Sequence, residues 1–449
     1  MIVTKFGGTS VGDADAIGRV AGIVRGRLAR DPIVVVSALA GVTNALIELT
    51  EHAGAGRLLV AIRQIEELRE RHLKVAAEVL GDDADGVAAE TGALFDEVAQ
   101  LAEALSVLGH VTPRCQDAMA AMGERISAPL VAGAMRRCGL DAVWVDARTV
   151  VCTDDAFGRA EVRLDRLGTL ALEKLQPLVR ANRVPVLGGY IGATADGITT
   201  TLGRGGSDYT ASLLGTALGA EAIEIWTDVD GMLTADPRVV PAARLIEEIS
   251  YDEASELATF GARVLHPSTI APAVRRGIPV AIFNSRRPEG RGTRIMFDAP
   301  RHQVRAVAGK TNVAVVKVRS PRMLGMPGFM RAILAVFEQH KTSVDVVTTS
   351  EVSVSLTVDE NARLETIVPQ VSALGDVTVE RGRGIVALVG AGLGVSTPTM
   401  ARALTALGDI RLHMCSLSAT GINLTLIVDS GDVSEAQRRL HAAFFEAAL

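Results

Sequence analysis

At 449 residues the chain is longer than one hydrophobic core usually supports, so two or three domains are expected. Hydrophobic residues at 48% and charged residues at 22% exclude a disordered chain; a net charge of -6, only 3% aromatic residues and no stripe of Lys and Arg exclude a nucleic-acid partner. The four cysteines, Cys115, Cys138, Cys152 and Cys415, form no C-x-x-C pair, which suits free thiols in a reducing cytoplasm rather than a disulfide framework or a zinc site.

The chain opens on a strand that runs into a turn, without the charged and apolar regions of a signal peptide. Elsewhere no apolar run reaches the ~20 residues of a membrane span. Lys5-Phe6-Gly7-Gly8-Thr9-Ser10 lies between that strand and a helix pattern over Ala14–Ala29. Glycines there let backbone N–H groups approach an anion, and Lys5 adds a compact positive charge for phosphate oxygens. A tight turn with a solvated lysine explains the same pattern equally well. Ile33–Ser37 is a continuous apolar run, and Val36–Asn44 passes from it into a helix through small and hydroxyl residues. Helices are expected over Leu58–Val79 and Arg125–Cys138. Glu124, in Gly123-Glu124-Arg125, either favours the positive end of the second helix or faces a substrate ammonium. Ala142–Asp146, Val184–Leu187, Ile223–Thr227 and Val280–Asn284 repeat the apolar look of the second strand. Such runs imply strands covered on both faces: an α/β fold with a mainly parallel sheet between helix layers, whose ligands bind beyond the strands' C-terminal ends.

The most specific local signal is Thr200–Thr210, reading Thr-Thr-Leu-Gly-Arg-Gly-Gly-Ser-Asp-Tyr-Thr and preceded by Gly188–Gly192. A Gly-rich bend opening a helix is an anion cradle. Ser207 or Asp208 as a helix N-cap is the plainer reading, but capping does not call for Arg204 and two threonines beside it. Trp226–Gly231, leading to Asp236-Pro237-Arg238, is either a turn built from Asp and Gly or a strand end that holds a nucleotide. No G-x-x-x-x-G-K-[ST] occurs, Gly390–Val395 falls short of the dinucleotide fingerprint, and His266 has no recognisable nucleophile beside it.

Asn284–Thr293 reads as a polar loop near the end of the first domain. Beyond it the pattern strand, turn, helix, strand, strand occurs twice, offset by roughly seventy residues. One copy has Val313–Val318, Gly328–His340, Ser343–Thr348 and Val352–Val358; the other has Ile385–Val389, Thr397–Leu407, Ile410–Ser416 and Ile422–Val428. Neither buries much alone, so the copies are expected to pack together or against a second chain.

In combination, Lys5–Ser10, Ser37–Asn44, Gly123–Arg125, Thr200–Asp208, Thr227–Asp228 with Asp236–Arg238, and Phe260–Pro267 resemble the aspartokinase set, in the family's order. Thr348–Leu356 resembles the paired ACT domains of its single-chain, lysine-sensitive branch. The resemblance covers essentially the whole chain. It implies an amino acid kinase fold over residues 1–298 and a regulatory region over 299–449, with two α+β ACT domains at about 313–383 and 384–449 that share strands or do not. It implies ATP-dependent phosphorylation of the side-chain carboxylate of L-aspartate, the first step of the aspartate-derived amino acid pathway, with Mg²⁺ accompanying the nucleotide and no metal site of the chain's own. Lys5 and Asp208 match catalytic positions. Lys5, Gly7, Gly8, Ser10, Thr227, Asp228, Leu233, Arg238 and Arg263 match nucleotide positions, with Leu233 standing where relatives often have tyrosine and Arg263 where many have lysine. Ser37, Thr43, Glu124, Arg204 and Ser207 match substrate positions, Glu124 for the amino group and Arg204 for the α-carboxylate. Met326, Gly328, Phe329, Val344, Asp345, Ser350 and Glu351 match an effector pocket for lysine, with threonine as the next choice. A homodimer through the ACT domains, or a tetramer built from it, is implied. The competing readings are another amino acid kinase, of acetylglutamate or glutamate 5-kinase type, and a catalytically silent amino-acid sensor.

Overall fold

The continuous apolar runs become the middle of a sheet. The computed structural model describes residues 1–81, 84–260, 265–361 and 363–446, and of residues 84 and 85 only the backbone. The chain forms two compact units: Met1–Met232 with Glu247–Tyr251 and Val264–Ala299, and Leu233–Ile246 with Asp252–Arg263 and Pro300–Leu449. No helix among the described residues is long and apolar enough to cross a membrane.

The first unit's strands are β1 (Ile2–Phe6), β2 (Pro32–Val36), β3 (Ala142–Trp144), β4 (Val184–Gly188), β5 (Ile191–Ala193), β6 (Thr199–Thr201), β7 (Ala222–Thr227), β8 (Glu248–Ser250), β9 (Val280–Asn284) and β10 (Thr293–Met296). β5 and β6 pair with each other, and the other eight form one sheet in the order β3-β4-β2-β1-β7-β9-β10-β8. All its neighbours run parallel except β9 and β10. The helices in chain order are α1 (Ala14–Arg25), α2 (Val42–Gly54), α3 (Leu58–Leu80), α4 (Ala84–Leu108), α5 (Pro113–Ala120), α6 (Met122–Arg137), α7 (Leu164–Lys174), α8 (Gln176–Arg180), α9 (Gly206–Leu218), α10 (Tyr251–Thr259), which passes into the second unit, and α11 (Pro267–Arg275).

Alternation along the strands explains why the apolar runs are unbroken. Val34 and Val36 join a core shared with α1, α2, α3, α4 and α6, whereas Ile33 and Val35, equally buried, point to the opposite face. There α9 lies along β1 and β7, flanked by α7 and α11. Asp13 caps α1 by accepting the Ala16 N–H at 2.8 Å, and Thr112 caps α5 by accepting the Cys115 N–H at 3.2 Å, with Pro113 at the first helical position. Each cap contributes about 1 kcal/mol. The C-terminal ends of β1, β2 and β4 are thereby brought beside the N-terminal ends of α2, α6 and α9.

The second unit holds β11 (Ala306–Arg319), α12 (Phe329–Gln339), β12 (Val344–Thr349), β13 (Ser353–Asp359), α13 (Leu364–Ser372), β14 (Asp376–Val389), α14 (Thr397–Leu407), β15 (Met414–Leu417), β16 (Asn423–Asp429) and α15 (Val433–His441). They make one antiparallel sheet in the order β12-β13-β11-β14-β16-β15. β11 and β14 run through both repeats. Val316 and Val318 of β11 and Val377 and Val379 of β14 pack with α12 and α13, while Val307 of β11 and Val386 and Leu388 of β14 pack with α14 and α15. Each repeat therefore borrows half a long strand from the other, with a register shift between Lys310 and Val313 where the halves meet. The repeat pattern read from the sequence omitted α13 and α15. Each is only nine residues long, α13 with Pro369 inside and α15 with Gln437 and His441 on its buried face, so neither shows a long apolar period.

Candidate active site

The strand ends and helix starts enclose a cleft of about 660 Å³, lined by Lys5 and Gly8, Ser37–Gly41, Thr43 and Asn44, Ile47, Gln116, Asp117, Ala120, Glu124, Gly158, Tyr190, Thr201 and Gly203–Asp208. The N-terminal lysine and the Gly-rich arginine bend thus face one space. Of the expected residues, Lys5, Gly8, Ser37, Thr43, Glu124, Arg204, Ser207 and Asp208 meet there.

Close backbone approach accounts for the glycines. A Cβ on Gly8 would stand 2.9 Å from the Ala38 carbonyl oxygen, and one on Gly189 would stand 2.7 Å from Ser207 Cα. Gly205, at φ 73°, is the N-cap of α9 and offers no side chain to it. Neither Ser207 nor Asp208 takes the capping role that the plainer reading gave it. The Ser207 hydroxyl instead accepts from the Ser37 hydroxyl at 3.1 Å, and Asp208 Oδ1 lies 2.7 Å from Lys5 Nζ. That contact is an ion pair rather than an aligned hydrogen bond, both side chains being nearly buried. The uncapped N–H groups of α9 and its dipole favour an anion at this wall of the cleft, where the Lys5 charge is balanced by Asp208.

Glu124 faces the same space from the first turn of α6 and is 3% exposed. Its Oε1 accepts the Ala38 N–H at 3.1 Å, while Oε2 is buried without a hydrogen-bond partner among the described residues. Burial pushes its carboxyl up to about 8, against the opposing pull of the Ala38 N–H and the Lys5 charge. Arg204 is exposed, and its guanidinium has no hydrogen-bond or ion-pair partner among the described residues. Tyr190 stands in the left-handed region at φ 66°, unusual for an aromatic residue, and burial raises its phenol above the ordinary range.

The other expected nucleotide residues do not line this cleft. The Gly7 N–H donates to the Trp226 carbonyl at 3.0 Å, and the Ser10 hydroxyl bonds Ser285 Oγ at 2.8 Å and the Trp226 carbonyl at 3.3 Å. Thr227 ends β7, and its hydroxyl donates to Asp228 at 3.2 Å. Leu233 and Arg238 belong to the second unit, where Arg238 pairs with Asp236 at 2.7 Å; Arg263 lies outside the described residues. The expected effector residues are also in the second unit. Gly328, at φ 87°, precedes α12, Phe329 is buried in its core, and Met326 is exposed. Val344 and Asp345 begin β12, while Ser350 and Glu351 form its turn into β13, with Ser350 Oγ 2.7 Å from Ser353 Oγ. Asp345 is 2.7 Å from Lys310 Nζ, which also reaches Asp359 at 2.7 Å.

Sequence reasoning missed Asp117 and Gly158; Tyr190 and Thr201 lay inside the Gly-rich motif it singled out, without a role of their own. Spacing offered one signal: Asp117 precedes Glu124 by two helical turns, and α5 and α6 meet at Ala121, which keeps helical angles, so both carboxylates reach one cleft. His266 does have a serine beside it, with Ser268 Oγ 2.7 Å from Nδ1, but the pair is local and exposed at the start of α11. The glycines of Gly390–Val395 serve packing, since a Cβ on Gly394 would lie 2.7 Å from Gly421 Cα.

An amino acid kinase family model matches residues 1–284, and an ACT domain model matches residues 386–444. The chain is similar to the lysine-sensitive aspartokinase 3 of Escherichia coli (strain K12), 39% identical over 99% of both chains. It is 34% identical to the chloroplastic aspartokinase 3 of Arabidopsis thaliana, over 99% of this chain and 81% of that one. Among solved structures it resembles E. coli aspartokinase III in complex with lysine and aspartate (T-state), with a TM-score of 0.85, 37% identity and 99% of both chains covered. The same enzyme with aspartate and ADP (R-state) superposes with a TM-score of 0.84, covering 99% of this chain and 100% of that one. With its cleft of Lys5, Glu124, Arg204 and Asp208 and this full-length similarity, the chain belongs to the aspartokinases of the amino acid kinase family.

Proposed function

We propose that the cleft binds L-aspartate with its ammonium on Glu124, its α-carboxylate on Arg204 and its side-chain carboxylate toward Lys5 and the start of α9, where ATP phosphorylates it to 4-phospho-L-aspartate. The observation that carries this reading is the spare oxygen of Glu124. A buried carboxylate oxygen without a donor is costly, and a substrate ammonium is the group that satisfies it. An N-acetylated amino acid offers that oxygen a single neutral amide N–H in place of a charged ammonium, a weaker partner that disfavours an acetylglutamate-type substrate. The planar Arg204 fork suits a carboxylate through two parallel hydrogen bonds.

The chemistry asks little of acids or bases. A side-chain carboxylate is ionised at neutral pH, so its oxygen attacks the γ-phosphorus without a general base, and the bond to the β,γ-bridging oxygen breaks to release ADP. What the chain supplies is positioning and charge neutralisation: Lys5, oriented by Asp208, and the α9 amides face the oxygens on which charge develops. No cluster of three or more His, Cys, Asp or Glu suited to a metal occurs among the described residues. That fits Mg²⁺ carried mainly by phosphates and water, with Asp208 the carboxylate beside them. When bound, Mg²⁺ supplies neutralisation of the phosphate oxygens. Gly7, Gly8, Ser10, Thr227, Asp228, Leu233, Arg238 and Arg263 are assigned to the nucleotide on the family resemblance.

Lysine is the effector we assign to the second unit, supported by the similarity to a lysine-sensitive relative and by Asp345 and Glu351, whose carboxylates suit its ammonium groups. A homodimer through the shared sheet of that unit and a cytoplasmic location, which suits four free thiols, complete the proposal. Trapping the acyl phosphate with hydroxylamine tests it. Aspartate is expected to give hydroxamate in proportion to ATP consumed. Product from glutamate or acetylglutamate but not from aspartate would transfer the chain to another branch, and no ATP turnover would make it a silent sensor.

A further inference from the structure

Of the three carboxylates that line the cleft, Glu124, Asp208 and Asp117, only Asp117 has both oxygens taken by hydrogen bonds among the described residues. It is 2% exposed and sits on α5. Oδ1 accepts from the Thr201 hydroxyl at 2.7 Å and Oδ2 from the Thr201 N–H at 2.9 Å, while the Gly158 N–H is shared between them at 3.0 and 2.9 Å. These donors come from a short hairpin and the loop beside it, a hairpin tied also to Thr153 through the Thr200 hydroxyl at 2.7 Å and to Arg148 through the Thr199 hydroxyl at 3.2 Å. Thr201 ends a three-residue strand that pairs only with β5, and Gly158 lies in the loop before α7, tied to the same strand by the Ala160 N–H on the Thr201 carbonyl at 2.9 Å. A two-stranded hairpin of this size is marginal alone. Asp117 anchors it to the helix layer.

Arg204 stands three residues beyond Thr201, past Gly203 at φ 77°. Its guanidinium has no partner among the described residues, so its position over the cleft is set by its backbone. That backbone is held by the Gly206 N–H on the Gly203 carbonyl at 3.0 Å across the bend, by the Leu202 N–H on the Tyr190 carbonyl at 2.9 Å and by the Asp117 bonds to Thr201. An anionic wall works against a cleft that takes two anions, so a buried negative charge there calls for a compensating task. We propose that Asp117 is a positioning residue for aspartate binding, the carboxylate that fixes the Arg204 bend and the Gly158 wall at the distance the substrate requires.

This inference rests on the reading of Arg204 as the α-carboxylate clamp, and the test separates the two. D117N keeps the shape but turns one acceptor into a donor that faces an N–H. It is expected to raise KM for aspartate about tenfold while kcat and KM for ATP stay within about twofold. T201V removes only the hydroxyl and is expected to raise KM for aspartate about threefold, and the double variant is expected to be no worse than D117N, because both act through one set of bonds. A general loss of structure would lower kcat and disturb ATP binding as well. R204A is measured alongside. If R204A leaves KM for aspartate unchanged, the clamp reading and this inference fall together. If R204A raises it while D117N, or T201V should D117N not fold, leaves it unchanged or changes all three constants in parallel, the positioning role of Asp117 alone is overturned.

Discussion

A buried carboxylate with one oxygen spare stores a pH signature. Glu124 titrates near 8 in the free cleft, so below that pH a proton must leave before the carboxylate accepts an ammonium. KM for aspartate is therefore expected to climb by up to about tenfold per unit as pH falls below 8, and to level off above it. In E124Q the dependence should vanish while KM rises roughly tenfold or more, because a neutral amide holds an ammonium less tightly. Kinetics across about pH 6 to 9 decide it; a level KM in the wild type removes Glu124 from the ammonium. Stability carries the opposite sign from an ordinary paired carboxylate. The folded chain holds this proton more tightly than the unfolded one, whose carboxyl titrates at 4.5, so stability declines as pH rises from 4.5 toward 8 and is level beyond. E124Q mimics the protonated form and should gain Tm over the wild type near pH 8 but not near pH 4.5. Lys5 is tested by turnover. The proposal assigns its ammonium to the oxygens that gain charge, so K5A is expected to lower kcat about 10²- to 10³-fold with the circular dichroism unchanged. Turnover close to the wild type's would exclude it from the mechanism.

At the scale of elements, the cleft exists because strand ends and helix starts touch through glycine. A methyl on Gly189 would press on Ser207 Cα and Cβ at 2.7 Å, backbone that cannot yield without shifting α9. G189A should cost about 1–3 kcal/mol and reduce activity together. G18A is the control. Gly18 lies inside α1 with open space around its Cβ, so alanine there should stabilise by about 0.5–1 kcal/mol and leave activity alone. Chemical denaturation of both reads the contrast, and equal effects of the two would refute the packing account. The same contrast explains what was legible in the sequence. Continuous apolar strands and Gly-rich turns before helices are local patterns, so the parallel sheet could be read directly; Lys5, Glu124, Arg204 and Asp208 stood in local motifs but took their proposed roles from the family resemblance. Asp117 could not be read, because its partners Gly158 and Thr201 lie 41 and 84 residues away and no local pattern announces them. Strand sharing in the second unit was hidden for a similar reason. β11 and β14 each look like one ordinary strand, and only their pairing shows that each serves two cores.

For the whole molecule, the decisive feature is that Leu233–Ile246 folds with the second unit although it carries Leu233 and Arg238, residues assigned to the nucleotide. Thr234 is its anchor. Its carbonyl accepts the Val307 N–H of β11 at 2.8 Å, and its hydroxyl meets Nε2 of the fully buried His441 of α15 at 2.9 Å. Nearby, the Asn423 side-chain amide donates to Glu256 on α10 at 2.8 Å. On the proposed assignment, the sheet of the second unit is bonded directly to the segment that carries Leu233 and Arg238. Lysine can lower the rate only as far as it binds the inactive arrangement more tightly, a coupling of roughly 1–3 kcal/mol in allosteric proteins. Lysine is expected to lower the initial rate of the wild type. A flat titration to saturation would remove it as effector and make threonine the next to try. T234V breaks the bond to His441, together with the Arg244 N–H bond to the same hydroxyl at 2.9 Å, without touching the residues assigned to lysine. It should bind lysine in calorimetry with an affinity close to the wild type's, yet lose most of the inhibition at saturating lysine, about fivefold in residual rate. Reciprocity gives an independent reading. An unreactive ATP analogue should weaken lysine binding in the wild type by the same factor by which lysine weakens the analogue, and should weaken it less in T234V. If T234V is inhibited as fully as the wild type, the Thr234–His441 contact is a structural bond of the second unit, and the signal travels elsewhere.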